Sequence, residues 1–120
     1  MFASKEFLKF CRDLEVAVNK AIDQQTTITY EKLVAVAYKP RRPGQRLVPH
    51  HPWVSQGLYS LMLDDLKDEL PVRSSVVVNA SGKNKGMPSE AYFATLSAEL
   101  GDVFTKTDWQ HELFKLGVVA

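Results

Sequence analysis

The sequence predicts an α+β domain of winged-helix-like architecture, with one helix added at the amino-terminal end and two more at the carboxy-terminal end. Three observations lead there. Trp53 to Glu69 carries apolar residues at helical spacing. Val72 to Val78 is dominated by valine and serine, which suits a strand buried on at least one face and suits a helix poorly. The chain then breaks into Asn79-Ala80-Ser81-Gly82-Lys83-Asn84-Lys85-Gly86, a polar turn punctuated by glycine with two lysines at its tip. Helix, strand and basic turn in that order is how a winged-helix nucleic-acid binder closes its recognition unit.

One hundred and twenty residues make a single domain, 1–120, long enough for one core of ordinary stability. The composition, 45% apolar and 24% charged, is that of a globular protein and leaves no apolar run near the ~20 residues of a membrane span. The start, Met1-Phe2-Ala3-Ser4-Lys5-Glu6, lacks the basic-then-apolar layout of a signal peptide, and a lone Cys11 excludes an internal disulfide. Both observations predict a cytoplasmic protein with no membrane partner.

Taken in order, Ser4 to Ile22 is the clearest helix. Phe7, Phe10, Cys11, Leu14, Val18, Ala21 and Ile22 recur at three and four, forming a stripe that faces the core and includes the cysteine. Thr27-Ile28-Thr29 makes a short strand, and Thr29 caps a second helix from Tyr30 to about Tyr38, with Leu33, Val34 and Ala37 inward. Lys39 to Pro52 holds four prolines and a glycine, which forbid a helix and block sheet pairing. Pro52 then suits the first turn of a helix from Trp53 to Glu69, whose buried face is Val54, Leu58, Leu61, Met62, Leu66 and Leu70. That helix ends in Asp64-Asp65-Leu66-Lys67-Asp68-Glu69, an acidic end that phosphate would repel. A further helix runs from Pro88 or Ser89 to Leu100, with Tyr92, Leu96 and Leu100 inward and Gly101 as its left-handed stop. Thr107-x-x-Gln110 has the form of a capping box, and the last helix, Trp109 to Leu116, buries Trp109, Leu113 and Leu116.

Charge carries the functional signal. The net charge is only +1, yet Lys32 to Leu63 has no acidic residue and five cations, and Leu70 to Ser89 again has none, with three. Positive charge gathered in two windows predicts a basic face. Lys39, Arg41, Arg42, Arg46, Arg73, Lys83 and Lys85 are the candidate phosphate contacts. Ser55, Gln56 and Tyr59, on the amino-terminal half of the third helix and off its buried stripe, are the candidate base contacts. If the partner is instead a protein, the same loop offers Tyr38 and Trp53 as interface anchors beside the arginines.

No catalytic or metal signature accompanies these groups. His50 and His51 are adjacent rather than one helical turn apart, and no cysteine or carboxylate stands near them at zinc spacing. Ser81-Gly82-Lys83 lacks the glycine frame of a phosphate loop, and Asp64-Asp65 point ~100° apart on a helix, a poor acid–base pair. The sequence therefore predicts no enzyme activity and no cofactor.

Two pieces of the chain carry a family resemblance. Ile28-Thr29-Tyr30-Glu31-Lys32-Leu33 and Val77-Val78-Asn79-Ala80-Ser81-Gly82, in separate pieces across roughly Ile28 to Met87, resemble the winged-helix domain of alkylguanine-DNA alkyltransferases and alkyltransferase-like proteins. In that family a Thr-Tyr-Gly-x-Leu/Val-Ala segment opens one helix and a Val/Ile-Val/Ile-Asn-x-x-Gly segment follows the active-site strand. The family's Pro-Cys-His-Arg has no counterpart, since this region reads Pro71-Val72-Arg73-Ser74-Ser75. The resemblance thus implies a DNA-binding shape without alkyl transfer. The expected function is non-enzymatic, regulatory binding of duplex DNA. The alternative is a small protein-binding module or inhibitor, from a phage or mobile element, acting on a host protein complex.

Overall fold

In the computed structural model, residues 4–38, 47–48 and 51–118 are described. Ser4 opens helix α1, Lys5–Asp23, by accepting a hydrogen bond from the Phe7 N–H at 3.0 Å. The expected stripe packs: Phe10, Leu14, Val18 and Ala21 are buried, joined by Ala17, while Cys11 at the stripe's edge is half-buried. Strand β1, Ile28–Thr29, runs straight into α2, Tyr30–Ala37, where the Thr29 hydroxyl accepts from the Lys32 N–H. Leu33, Val34 and Ala37 face inward as expected.

Helix α3, Pro52–Lys67, buries Val54, Leu61 and Met62 and packs on α1. Its Gly57 lets the two helices close up, since a Cβ there would lie 3.3 Å from Leu14 Cδ1 and 3.6 Å from Cys11 Sγ. Strand β2, Val77–Val78, pairs in parallel with β1, Ile28 opposite Val77 and Thr29 opposite Val78. Helix α4, Glu90–Leu100, ends on Gly101 at φ 71°, and α5, Lys106–Lys115, ends the described chain near Val118. The result is an α+β arrangement: five helices and one two-stranded sheet among the described residues, around a core shared by α1, α2, α3, the Val72–Val78 segment and the two last helices.

Four expectations change. Val72–Val78 is not one strand: Arg73–Val76 forms a 3-10 turn and only Val77–Val78 is extended in the sheet. Side chains from elsewhere hold that turn, because Trp109 Nε1 donates to the Ser75 carbonyl at 2.8 Å and the Ser75 and Tyr92 hydroxyls meet at 2.6 Å. Leu70 and Leu100, expected inward, are 54% and 53% exposed, Leu70 lying beyond the end of α3 and Leu100 on the last residue of α4. The capping box lies two residues earlier, Thr105 with Asp108, so α5 starts at Lys106. Lastly, Asp65 is not part of a solvated acidic end but is 1% exposed.

Asp65 is buried because Arg73 folds back onto it. Its carboxylate accepts from the Arg73 backbone N–H at 2.9 Å and from Arg73 Nε at 2.9 Å, while Arg73 Nη1 donates to Glu15 Oε2 at 2.9 Å and Asn19 Oδ1 at 3.1 Å. Burial pushes the Asp65 carboxyl above its ordinary range, although Arg73 pulls the other way. For Arg73 burial acts to lower the value, and the Glu15 hydrogen bond and the Asp65 charge more than reverse it. One guanidinium thereby ties α1, α3 and the 3-10 turn together.

Candidate nucleic-acid interface

The amino-terminal end of α3 is built by its cap. His51 Nδ1 accepts from the Trp53 N–H at 3.1 Å, and Pro52 occupies the first helical position, where no N–H is needed. Trp53 lies against Phe7 and Phe10 of α1, with ring centroids 5.4 and 5.8 Å away. That packing fixes the helix end, and it occupies the indole that was the candidate protein anchor. Tyr38, the other anchor, is half-buried against the core.

On the outer face of this helix end, Ser55, Gln56 and Tyr59 are exposed. Two are engaged within the protein. The Ser55 hydroxyl donates to the Pro52 carbonyl at 3.1 Å, and Tyr59 Oη donates to Glu99 Oε1 of α4 at 2.7 Å. The Glu99 hydrogen bond raises the Tyr59 phenol pKa and puts a carboxylate on the same rim.

The glycine turn is a closed loop rather than a loose one. Asn79 N–H donates to the Met87 carbonyl at 2.8 Å, Gly86 N–H returns to the Asn79 carbonyl at 2.9 Å, and Asn79 Nδ2 donates to Met87 O at 3.0 Å. Gly82 and Gly86 take φ of 85° and 79°, which a side chain rarely adopts. The ends being tied, Lys83 and Lys85 project from the turn, both exposed. At its exit the Ser89 N–H donates to Tyr30 Oη at 3.0 Å, which anchors the loop to α2.

Helix end and turn meet at one cleft of about 360 Å³ between α3 and α4. Val54, Leu58 and Met62 form one wall, Ala91, Tyr92 and Thr95 the other, and Ser74, Asn79 and Tyr30 also line it. His51, Ser55 and Tyr59 belong to its border as well, so the base of the lysine turn and the outer face of α3 share one side of the molecule.

Of the expected phosphate contacts, Lys83 and Lys85 are exposed on the turn whose foot, Asn79, lines this cleft. Arg73 is not: its guanidinium is spent on Asp65, Glu15 and Asn19. Lys39, Arg41, Arg42 and Arg46 lie outside the described residues. The cleft itself was missed in the sequence, because its lining comes from separate elements with no common spacing. The described residues contain no group of three or more His, Cys, Asp or Glu side chains placed to hold a metal ion. None of their helices is long and apolar enough to cross a membrane. No family model, curated protein or solved structure matches the chain.

Proposed function

We propose that this protein binds duplex DNA without performing chemistry on it, as a winged-helix-like regulator in which the Asn79–Met87 turn takes the place of the wing. The observation that carries the reading is the shared cleft border: Ser55 and Tyr59 on α3 and Asn79 at the foot of the Lys83/Lys85 turn face one side. A helix end flanked by a basic turn suits a major groove with phosphates beside it. Lys83 and Lys85 hold phosphates, joined by Lys39, Arg41, Arg42 and Arg46 from the segment that precedes α3. Gln56 reads a base edge directly. Ser55 and Tyr59 do so on exchanging their internal hydrogen bonds for the ligand, and Tyr59 must leave Glu99 to do it. The acidic carboxy-terminal end of α3 stays away from the backbone.

Salt dependence tests this. Each cation on a phosphate releases about one counterion, so the log–log slope of affinity against salt falls by ~0.9 per contact, and most of the nominated cations engaging gives roughly −3 to −5. In fluorescence anisotropy with labelled duplex, Lys83→Ala with Lys85→Ala flattens the slope by ~1–2 and weakens every sequence alike. Gln56→Ala leaves the slope unchanged and lowers discrimination between sites by ~1–3 kcal/mol. Absence of salt-dependent duplex binding at low ionic strength refutes the DNA reading and assigns the basic segment to a protein partner.

A further inference from the structure

We propose that the cleft between α3 and α4 is a binding site for a small, neutral, flat aromatic molecule carrying one hydrogen-bonding head group. This goes beyond DNA binding and does not rest on it. Three features of the cleft select that chemistry.

The first is size. About 360 Å³ lies at the small end of the range for ligand pockets and gives room for a guest of one or two rings. The second is charge. Among the described residues the lining contains no Lys, Arg, Asp or Glu, and His51 at its border already accepts from the Trp53 N–H through Nδ1, so a charged ligand entering it loses hydration and meets no opposite side-chain charge of those types. The walls are instead apolar and aromatic, with Leu58 and Met62 on one side and Tyr92 on the other. Tyr92 is held rigid by Phe93 and Phe104, whose ring centroids lie 5.0 and 5.7 Å away, and by its hydrogen bond to Ser75. A thioether and a rigid ring lining one cleft favour an aromatic guest.

The third feature is an unmet hydroxyl. Ser74 lines the cleft, is 3% exposed, and its Oγ is the buried side-chain polar atom without a hydrogen-bond partner among the described residues. Its neighbours in the 3-10 turn are satisfied: Ser75 by Tyr92 and Trp109, Arg73 by Asp65. A buried hydroxyl left unpaired is unfavourable, and a serine has three staggered χ1 wells by which to turn towards a partner. A polar head entering the cleft supplies that partner.

The test uses the full chain and two matched probes, benzamide and benzoate, followed by amide chemical shifts. Benzamide is expected to shift the amides of Leu58, Ser74, Asn79 and Tyr92 saturably, with Kd in about the millimolar range for so small a guest. Benzoate, the same ring with a charge, binds at least about tenfold more weakly. Ser74→Ala weakens benzamide by roughly threefold to tenfold, the worth of one neutral hydrogen bond. Ala91→Trp, at an exposed helix position on the cleft wall, fills the space and abolishes binding while the far-ultraviolet circular dichroism stays unchanged. The last variant keeps the test sharp should Ser74→Ala fold poorly. No saturable shift with benzamide, equal affinity for benzoate, unchanged affinity in folded Ser74→Ala, or undiminished binding by Ala91→Trp overturns the assignment. None of these outcomes bears on duplex affinity, which is measured separately.

Discussion

Arg73→Ala is the substitution that most directly separates a structural role from a DNA-binding one. In the folded protein Asp65 is 1% exposed and meets Arg73 twice, through the backbone N–H and through Nε, while the Arg73 side chain keeps 22% of its surface in solvent. Removing the guanidinium strands a carboxylate with almost no access to water. Breaking a buried pair in this way costs about 3–5 kcal/mol. Removing the other partner, by Asp65→Ala, leaves a part-exposed guanidinium that still holds Glu15 and Asn19, together with one unmet backbone N–H. That costs nearer 2 kcal/mol. The expected order is therefore Arg73→Ala worse than Asp65→Ala, measured by urea unfolding followed in the far ultraviolet. For a domain of this size the larger loss lowers Tm by roughly 10–25 °C. pH adds an independent check. A carboxyl whose folded pKa lies above its unfolded value favours the folded state most at pH below the unfolded value, and that advantage is lost as pH rises through the folded one. Burial already raises Asp65 in the wild type, and once the guanidinium is gone only the backbone N–H of residue 73 opposes it. Arg73→Ala is thus expected to recover stability relative to wild type as pH is lowered from neutrality into the acid range. A cost below about 1 kcal/mol, within the range of ordinary surface changes, or a reversed order of the two variants refutes the reasoning. In the DNA assay the same variant, where folded, leaves the salt slope as it was.

Two further outcomes are expected. Trp109→Ala is expected to destabilise by ~3–5 kcal/mol, whereas Trp109→Phe retains most of the packing and loses chiefly the bond to the buried Ser75 carbonyl, ~1–3 kcal/mol; under about 1 kcal/mol for the alanine variant in chemical denaturation would make α5 peripheral. Cys11, whose thiol burial pushes up and whose sulfur faces Gly57, is expected to react slowly with a thiol reagent in the native state and quickly in denaturant, and equal rates in both would contradict its place at the α1–α3 contact.

The helices were legible in the sequence because their signal is local and repeated. Phe10, Leu14, Val18 and Ala21 sit on one face whatever surrounds them, and Thr29 and Gly101 cap by chemistry that needs no distant partner. Leu70 and Leu100 show the limit of the stripe: periodicity continues past the point where the core stops. The Val72–Val78 segment was misjudged for a different reason. Its valines do enter the core, but the backbone of Arg73–Val76 is decided by Asp65, Tyr92 and Trp109, the last two far along the chain. Asp65 read as one of a run of solvated acids, because nothing local announces a guanidinium eight residues away turning back onto it. The capping-box frame was displaced because Thr105-x-x-Asp108 and Thr107-x-x-Gln110 both satisfy the pattern, and the carboxylate of Asp108 accepts from the Thr105 N–H. At the proposed interface the lysine turn was visible as a turn, whereas the cleft depends on α3, α4 and the 3-10 turn being placed side by side.

The parallel pairing of β1 with β2 also sets when this chain can fold as it leaves the ribosome. Ile28 and Thr29 emerge early but meet their partners only when Val77 and Val78 have been synthesised. Until then α1 and α2, which pack on each other, present Leu14, Val18 and Leu33 without the valines that cover them in the finished protein. The nascent chain therefore holds an unclosed apolar surface and an unpaired strand from the synthesis of Thr29 until that of Val78, the condition in which chaperones bind and neighbouring chains misassemble. Ribosome-stalled chains ending before Val72 should accordingly remain protease-sensitive, and resistance should appear only in lengths that place Trp109 outside the exit tunnel.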